Sequence, residues 1–264
     1  MTVEAFDALF IEEDGRLRPS AHTRGPWDRA AQHGGPVAAV LARAFERLAT
    51  DVPMQVARIT VELLRPVPLA PLHVDAAVVR PGRRVQLATA SVVAGDTEVC
   101  RATCWRIRVT DVAVPLPTPQ PAPPAPEAAV PSVIDQETTA FHVTGMEIRF
   151  VRGRFDEPGA ATAWFRLRHP VVAGEEPTPL QRVLAAADFG NGISSPVSWF
   201  THLFINTDLT VHVHRLPVDE WVCLDATTVV QPTGIGLAQS ALSDRDGAIG
   251  RSLQSLLVDV RSPA

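Results

Sequence analysis

The sequence predicts an α+β chain built from two tandem copies of one unit, each a long helix wrapped by an antiparallel sheet. Three observations lead there: an internal repeat, one strongly apolar helical segment per copy, and a run of long strands after each helix. Residues 60–109 align with 210–259 at a constant offset and without a gap, and ten positions are identical. They are Thr60, Val61, Arg65, Asp75, Ala76, Val79, Leu87, Ala88, Asp96 and Arg101, which fall on Thr210, Val211, Arg215, Asp225, Ala226, Val229, Leu237, Ala238, Asp246 and Arg251. An ungapped match across several strands points to duplication.

Each element has a local reason. An apolar strand is expected from Ala5 to Ile11, followed by a turn at Gly15. After Gln32-His33-Gly34-Gly35-Pro36, apolar residues Val37, Val40, Leu41, Ala44, Phe45 and Leu48 recur at helical spacing. Pro36 suits the first helical position, and the glycines permit close backbone approach. Strands are expected at 54–64, 71–80, 83–94 and 97–109, with turns at Arg65-Pro66, Pro81-Gly82 and Gly95-Asp96. The second copy repeats the order. Short strands lie near 139–151 and 160–168, and the helix PLQRVLAAAD follows Pro177 and Pro179. Long strands follow near 199–215, 220–231, 235–244 and 248–260. The boundaries are an N-terminal repeat over 1–110, a proline-rich extended connector over 111–135 and a C-terminal repeat over 136–264. One long helix in the concave face of an antiparallel sheet, twice over, is the layout of a double hot-dog. The two sheets would pair edge to edge and cover exposed strand edges.

Composition narrows the function. Hydrophobic residues make up 46% of the chain and the net charge is −5. The first is enough for a buried core, and the second leaves no basic footprint for nucleic acid. No apolar run reaches the ~20 residues that span a bilayer. Three cysteines, Cys100, Cys104 and Cys223, with no signal peptide read as a reducing, cytoplasmic setting. No residues stand at zinc-ligand spacing, so neither a metal nor a cofactor is expected.

The repeat acts as an internal control. Asp188 closes the second helix where the first copy has Phe45. Asn206 replaces Val56, and Gln254 replaces Cys104. Three polar side chains in one copy, at positions that should face the seam between helix and sheet, are costly to bury unless they satisfy one another or a ligand. A carboxylate also stands against the negative end of its helix dipole. Together they suit hydrolysis: a carboxylate to take a proton from water and two amides to orient that water. Backbone N–H groups at the Gly34-Gly35 helix start would hold an oxyanion. No nucleophile elbow or Cys/His pairing is visible. Each residue also has a plainer reading. Asp188 could end its helix, Gln254 could bond a strand neighbour, and Asp208 could partner Arg215 or His212. His33 reads as a hydrogen-bonding residue at the helix start, His212 and His214 as strand-face residues, and Trp199, Trp221 and Phe204 as core. Gly234 and Gly236 could admit a pantetheine arm or mark a bulge.

The chain resembles acyl-CoA thioesterases of the type II, double hot-dog kind. The residues that carry the resemblance are His33-Gly34-Gly35, AAAD at 185–188, FINTDLTVHVHR at 204–215, PVDEW at 217–221, GIGLA at 234–238 and GRSLQ at 250–254. It covers nearly the whole chain. The resemblance implies an acyl-CoA substrate, a homodimer, and a catalytic Asp, hydroxyl residue and Gln around one water. Those roles fall on Asp188, Asn206 and Gln254, with Asn206 standing where the family has Thr or Ser. Gly34, Gly35, Thr207, Gly234 and Gly236 are the expected substrate-binding positions, although Thr207 should point to the opposite strand face from Asn206. Two alternatives compete. One is a non-catalytic acyl-CoA or lipid-binding module. The other is a dehydratase, which needs a His of one copy facing an Asp of the other; His169 and Asp188 lie in the same copy.

Overall fold

A computed structural model describes residues 6–115, 122–133 and 138–261. One antiparallel sheet of 14 strands curves around two helices. The first half contributes β1 (Phe10–Glu13), β2 (Arg16–Pro19), helix α1 (Gly34–Glu46), β3 (Met54–Leu63), β4 (Leu72–Arg80), β5 (Val85–Ala94) and β6 (Thr97–Arg108). The second contributes β7 (Val130–Pro131), β8 (Met146–Arg152), β9 (Ala161–Leu167), α2 (Pro179–Ala187) and the short α3 (Gly190–Ser194). It closes with β10 (His202–Asn206), β11 (Asp208–Val213), β12 (Val222–Val230), β13 (Ile235–Asp244) and β14 (Gly247–Val260). This is the double hot-dog layout. The first strand begins at Phe10, later than expected, because residues 7–9 bend before pairing starts. The expected strand near 139–151 starts only at Met146; a wide helical turn, Phe141–Gly145, precedes it.

The halves join where β3 pairs with β11. Thr210 stands opposite Thr60, Asp208 opposite Glu62 and His212 opposite Arg58. Thr60 and Thr210 are equivalent positions of the two repeats, and the pairs on either side exchange under the same equivalence, so the local dyad runs between the two threonines. Their hydroxyls lie 3.3 Å apart. The expected long strand at 199–215 is interrupted at Thr207. Its first part pairs with β14 alone, and its second pairs with both β14 and β3.

Helix α1 starts at Gly34 with His33 as its cap, so Pro36 stands third rather than first in the helix. An N–H is missing there without loss, because the opening turn has no intrahelical acceptor for it. Val37 to Ala42 are at most 1% exposed, which sets α1 in the centre of the molecule. The helices run antiparallel: His33 at the start of α1 meets Asp188 at the end of α2, and Glu46 at the end of α1 accepts from Thr178 before α2. Small residues allow close approach. A Cβ on Gly35 would lie 2.6 Å from the Ala185 carbonyl oxygen. The proline-rich segment is docked where it is described: Trp164 donates to Pro124 O at 2.8 Å, and Val130–Pro131 pair with β8.

The carboxyl end of α1 is closed by Arg106. Its buried guanidinium donates to Phe45 O at 3.3 Å, Leu48 O at 2.8 Å and Ala49 O at 3.5 Å. Replacing Arg106 with Met removes this donor from the Leu48 and Ala49 carbonyls, while Phe45 O keeps the Leu48 N–H. We expect Arg106→Met to cost about 2 kcal/mol and lower Tm by about 4–8 °C, read by thermal melting.

Candidate active site

The position at which Asp188 stands is filled with apolar side chains in the first half. Phe45 and Cys104 are 0% exposed and Val56 is 5% exposed. The second half instead carries Asp188, Asn206 and Gln254, and the fold brings them together. Asp188 caps α2, so its carboxylate projects from the helix end beside the sheet. Asn206 ends β10, and its Nδ2 donates to Asp188 Oδ1 at 2.9 Å. Gln254, in the middle of β14, donates from Nε2 to Asp188 Oδ1 and to the Asp188 carbonyl, both at 3.3 Å. The second bond also satisfies a carbonyl that the end of α2 leaves open. Gln254 Oε1 accepts from Asn191 N at 3.0 Å, which fixes the amide orientation. The amides therefore bind the carboxylate directly rather than meeting it only through water.

The other carboxylate oxygen faces the first half of the chain. His33 Nδ1 lies 2.7 Å from Asp188 Oδ2 and 3.0 Å from Gly35 N, whose N–H it accepts. Both side chains are buried, at 10% and 4% exposure, so little water screens the contact. The sequence reading placed His33 at the helix start but not against Asp188. The pairing joins residues from opposite halves and depends on the antiparallel approach of α1 and α2. The nearest sequence clue was the His-Gly-Gly run itself. Gly34 sets the spacing: an added Cβ would meet Asp188 Oδ2 at 2.7 Å.

The cluster lines one part of a cavity of about 780 Å³. His33, Gly34, Asp188, Asn191, Asn206 and Thr207 contribute polar groups, and Leu63, Val67, Phe155, Phe189, Ile193 and Ile205 contribute apolar wall. Trp27 stacks on Trp199 with ring centroids 4.5 Å apart, and both line the cavity. Trp199 is thus a cavity residue rather than core, whereas Phe204 is buried beneath the pair. Nearby His142 also lines the cavity; burial, with the charge of His33 as a smaller contribution, pushes its pKa down to about 4.

Three expected binding glycines lie outside this lining. Gly35 is taken up by helix packing against Ala185 and Phe141. Gly234 and Gly236 sit at the β12–β13 turn against β14, where Cβ atoms would meet Val258 O at 3.0 Å and Leu256 Cβ at 3.2 Å. Gly234 also has φ 82°, a backbone conformation that favours glycine. Asp208 does not partner Arg215 or His212; its Oδ1 accepts from Ser255 N at 2.9 Å, while Arg215 pairs with Asp244. His169 stacks on His22 at 4.2 Å and takes no part in the cluster. Burial pushes the thiols of Cys100, Cys104 and Cys223 up to about 12, which leaves them protonated and poor nucleophiles. Among the described residues, no His, Cys, Asp and Glu side chains are grouped to hold a metal ion. No helix among those residues is long and apolar enough to cross a membrane.

The comparisons with known proteins bear on family and fold. The acyl-CoA thioesterase C-terminal domain family matches residues 115–258, and the acyl-CoA thioesterase N-terminal domain family matches 23–107. The chain belongs to the acyl-CoA thioesterase family. It is similar in fold to a hot-dog protein of unknown function from Alicyclobacillus acidocaldarius, at 18% identity, TM-score 0.73 and 98% coverage of both chains. It is also similar to an acyl-CoA thioesterase II from Mycobacterium marinum, at 16% identity and TM-score 0.66, covering 98% of this chain and 97% of that one. A tesB protein from Mycobacterium avium subsp. paratuberculosis is 17% identical with TM-score 0.66, covering 97% of each chain. No curated protein sequence matches the chain.

Two outcomes follow from the site's packing. Gly190→Ala would drive a Cβ to 2.8 Å from Gln254 Oε1 and 2.9 Å from Ser240 Oγ. Displacing Gln254 loosens Asp188, so turnover is expected to fall about 10-fold or more, with the sheet's circular dichroism retained. The second concerns His142, whose folded pKa lies below the unfolded value of 6.5. The unfolded chain therefore binds the proton first, and stability present above pH 6.5 is lost as pH falls towards 4. Melting across pH 6.5 to 4.5 should show a smaller loss of Tm in His142→Gln than in the parent.

Proposed function

We propose that this protein hydrolyses acyl-CoA thioesters to a free acid and CoA, with Asp188 as general base. The observation that carries this reading is a buried carboxylate lining a mainly apolar cavity, held by Asn206, Gln254 and His33. Asp188 removes a proton from a water positioned by Asn206, and the water oxygen attacks the thioester carbonyl carbon. The backbone N–H of Gly34 at the start of α1 receives the developing oxyanion, with the favourable end of the helix dipole. Collapse of the tetrahedral adduct breaks the carbon–sulfur bond. The departing thiolate takes the proton that Asp188 removed from the water, which returns the carboxylate to its starting state. No covalent enzyme intermediate is needed. Asn206 supplies both a donor to the carboxylate and an acceptor for water, which suits it to a place where a hydroxyl would otherwise serve. We read the chain as two repeats, 1–110 and 136–264, that build this one site between them, acting as a cytoplasmic homodimer without a cofactor.

Release of free thiol from a panel of acyl-CoAs tests the proposal. Asp188→Ala and Gln254→Ala should each reduce kcat about 100-fold or more, and Asn206→Ala about 10-fold. Turnover that survives Asp188→Ala sinks it. Tight acyl-CoA binding with no turnover by the parent protein would instead indicate a binding module.

A second reading rests on one specific contact. His33 and Asp188 come from opposite halves, the arrangement expected of a hot-dog dehydratase that eliminates water from a 3-hydroxyacyl thioester. Appearance of a conjugated double bond without thiol release would favour that chemistry.

A further inference from the structure

The repeat also singles out Arg65. Its equivalent in the second half is Arg215, and the backbone beside each is held alike. Leu64 N donates to Val99 O at 3.1 Å, as His214 N donates to Ile249 O at 3.0 Å. The side chains differ. Arg215 donates to both oxygens of the fully buried Asp244, at 2.5 and 2.7 Å, and to the carbonyls of Gly247 and Ala248. In the first half Ala94 stands at the position equivalent to Asp244. Arg65 is therefore released. It is exposed, and its guanidinium has no ion pair or hydrogen bond among the described residues.

Arg65 lies in the loop between β3 and β4 and lines the cavity. The loop is anchored on both sides of the carboxylate cluster. Leu63 N donates to Thr207 O at 2.9 Å, next to Asn206, and Gln32 N donates to Val67 O at 2.7 Å, next to His33. Asn206 and His33 both contact Asp188. Arg65 is the one arginine in the cavity lining, and the chain has no lysine. Two carboxylates of the lining, Asp156 and Glu157, follow β8, and four strands separate β3 from β9 in the sheet. The third, Asp28, accepts from Ala30 N at 2.8 Å.

An exposed guanidinium freed from its carboxylate at the rim of a cavity is matched by an anion. The thiol half of an acyl-CoA carries phosphates, which a guanidinium binds with paired N–H groups. We propose that Arg65 binds a phosphate of the CoA half of the substrate, so that the carrier leaves the cavity past the β3–β4 loop. This inference rests on the thioesterase reading and adds the direction in which the substrate lies.

The test compares kcat/KM for thiol release from an acyl-CoA and from the acyl-pantetheine with the same plain acyl chain, which has no phosphate. The parent should prefer the CoA ester by about 10-fold or more. Arg65→Gln should cut that preference to within about 3-fold. Ala94→Asp should do the same with Arg65 still present, because a carboxylate there would hold Arg65 as Asp244 holds Arg215. The ratio is taken within each variant, so a partly misfolded preparation does not distort it. The acyl chain is constant, so the ratio reads the carrier alone. A parent without the preference, or a preference that survives either substitution, overturns the inference. If neither ester releases thiol, the hydrolase reading fails on its own account. Calorimetric titration with CoA and with pantetheine then decides the phosphate contact. CoA binding about 10-fold tighter than pantetheine in the parent, and not in Arg65→Gln, upholds the inference, and equal binding in the parent ends it.

Discussion

The close antiparallel approach of α1 and α2 governs the rest of this structure. Neither helix could bury its faces alone, and each is covered by the curved sheet and by the other. Contact at this distance demands small residues, hence Gly35 against Ala185 and the alanines of both helices. The approach also sets chemistry. It brings the N-terminal turn of one helix against the C-terminal turn of the other, so His33 reaches Asp188 across the seam. A carboxylate at a helix C-terminus is electrostatically disfavoured, and its position here next to the opening N–H groups of α1 offsets that cost.

Duplication explains why such a seam has two ends, and divergence explains why one holds a polar cluster. At the first end Phe45, Val56 and Cys104 close the space, and the Arg106 guanidinium takes up the helix carbonyls. At the second end Leu256 occupies the position equivalent to Arg106, and Gln254 takes over the helix carbonyl while holding the carboxylate. The same backbone thus supports a sealed core at one end and a polar cluster beside an open cavity at the other.

The cavity wall divides in a related way. Stacked Trp27 and Trp199, with Phe155, Phe189 and aliphatic residues, form an apolar surface suited to a hydrocarbon chain. Charged side chains such as Asp28, Arg65, Asp156 and Glu157 border the same cavity. Gln32 Oε1 and His142 Nδ1 are buried with no hydrogen-bond partner among the described residues.

Much of this architecture was written locally. Apolar spacing marks both helices, turn residues mark the hairpins, and the repeat predicts matching strands, because periodicity and turn chemistry act over a few residues. The three polar departures from the repeat were legible for the same reason: the other copy supplies the expected apolar residue at each position. Contacts between distant segments were not legible. His33 read as a helix-start residue, since nothing near it in the chain shows that the end of α2 packs there. Gly234 and Gly236 read as points of ligand approach, whereas register in β13 and β14 assigns them to strand packing. Trp199 read as core, yet the path of the chain before β10 turns it into the cavity. Spacing along a chain determines which face a residue occupies, but the partner on that face is settled only when separate elements pack.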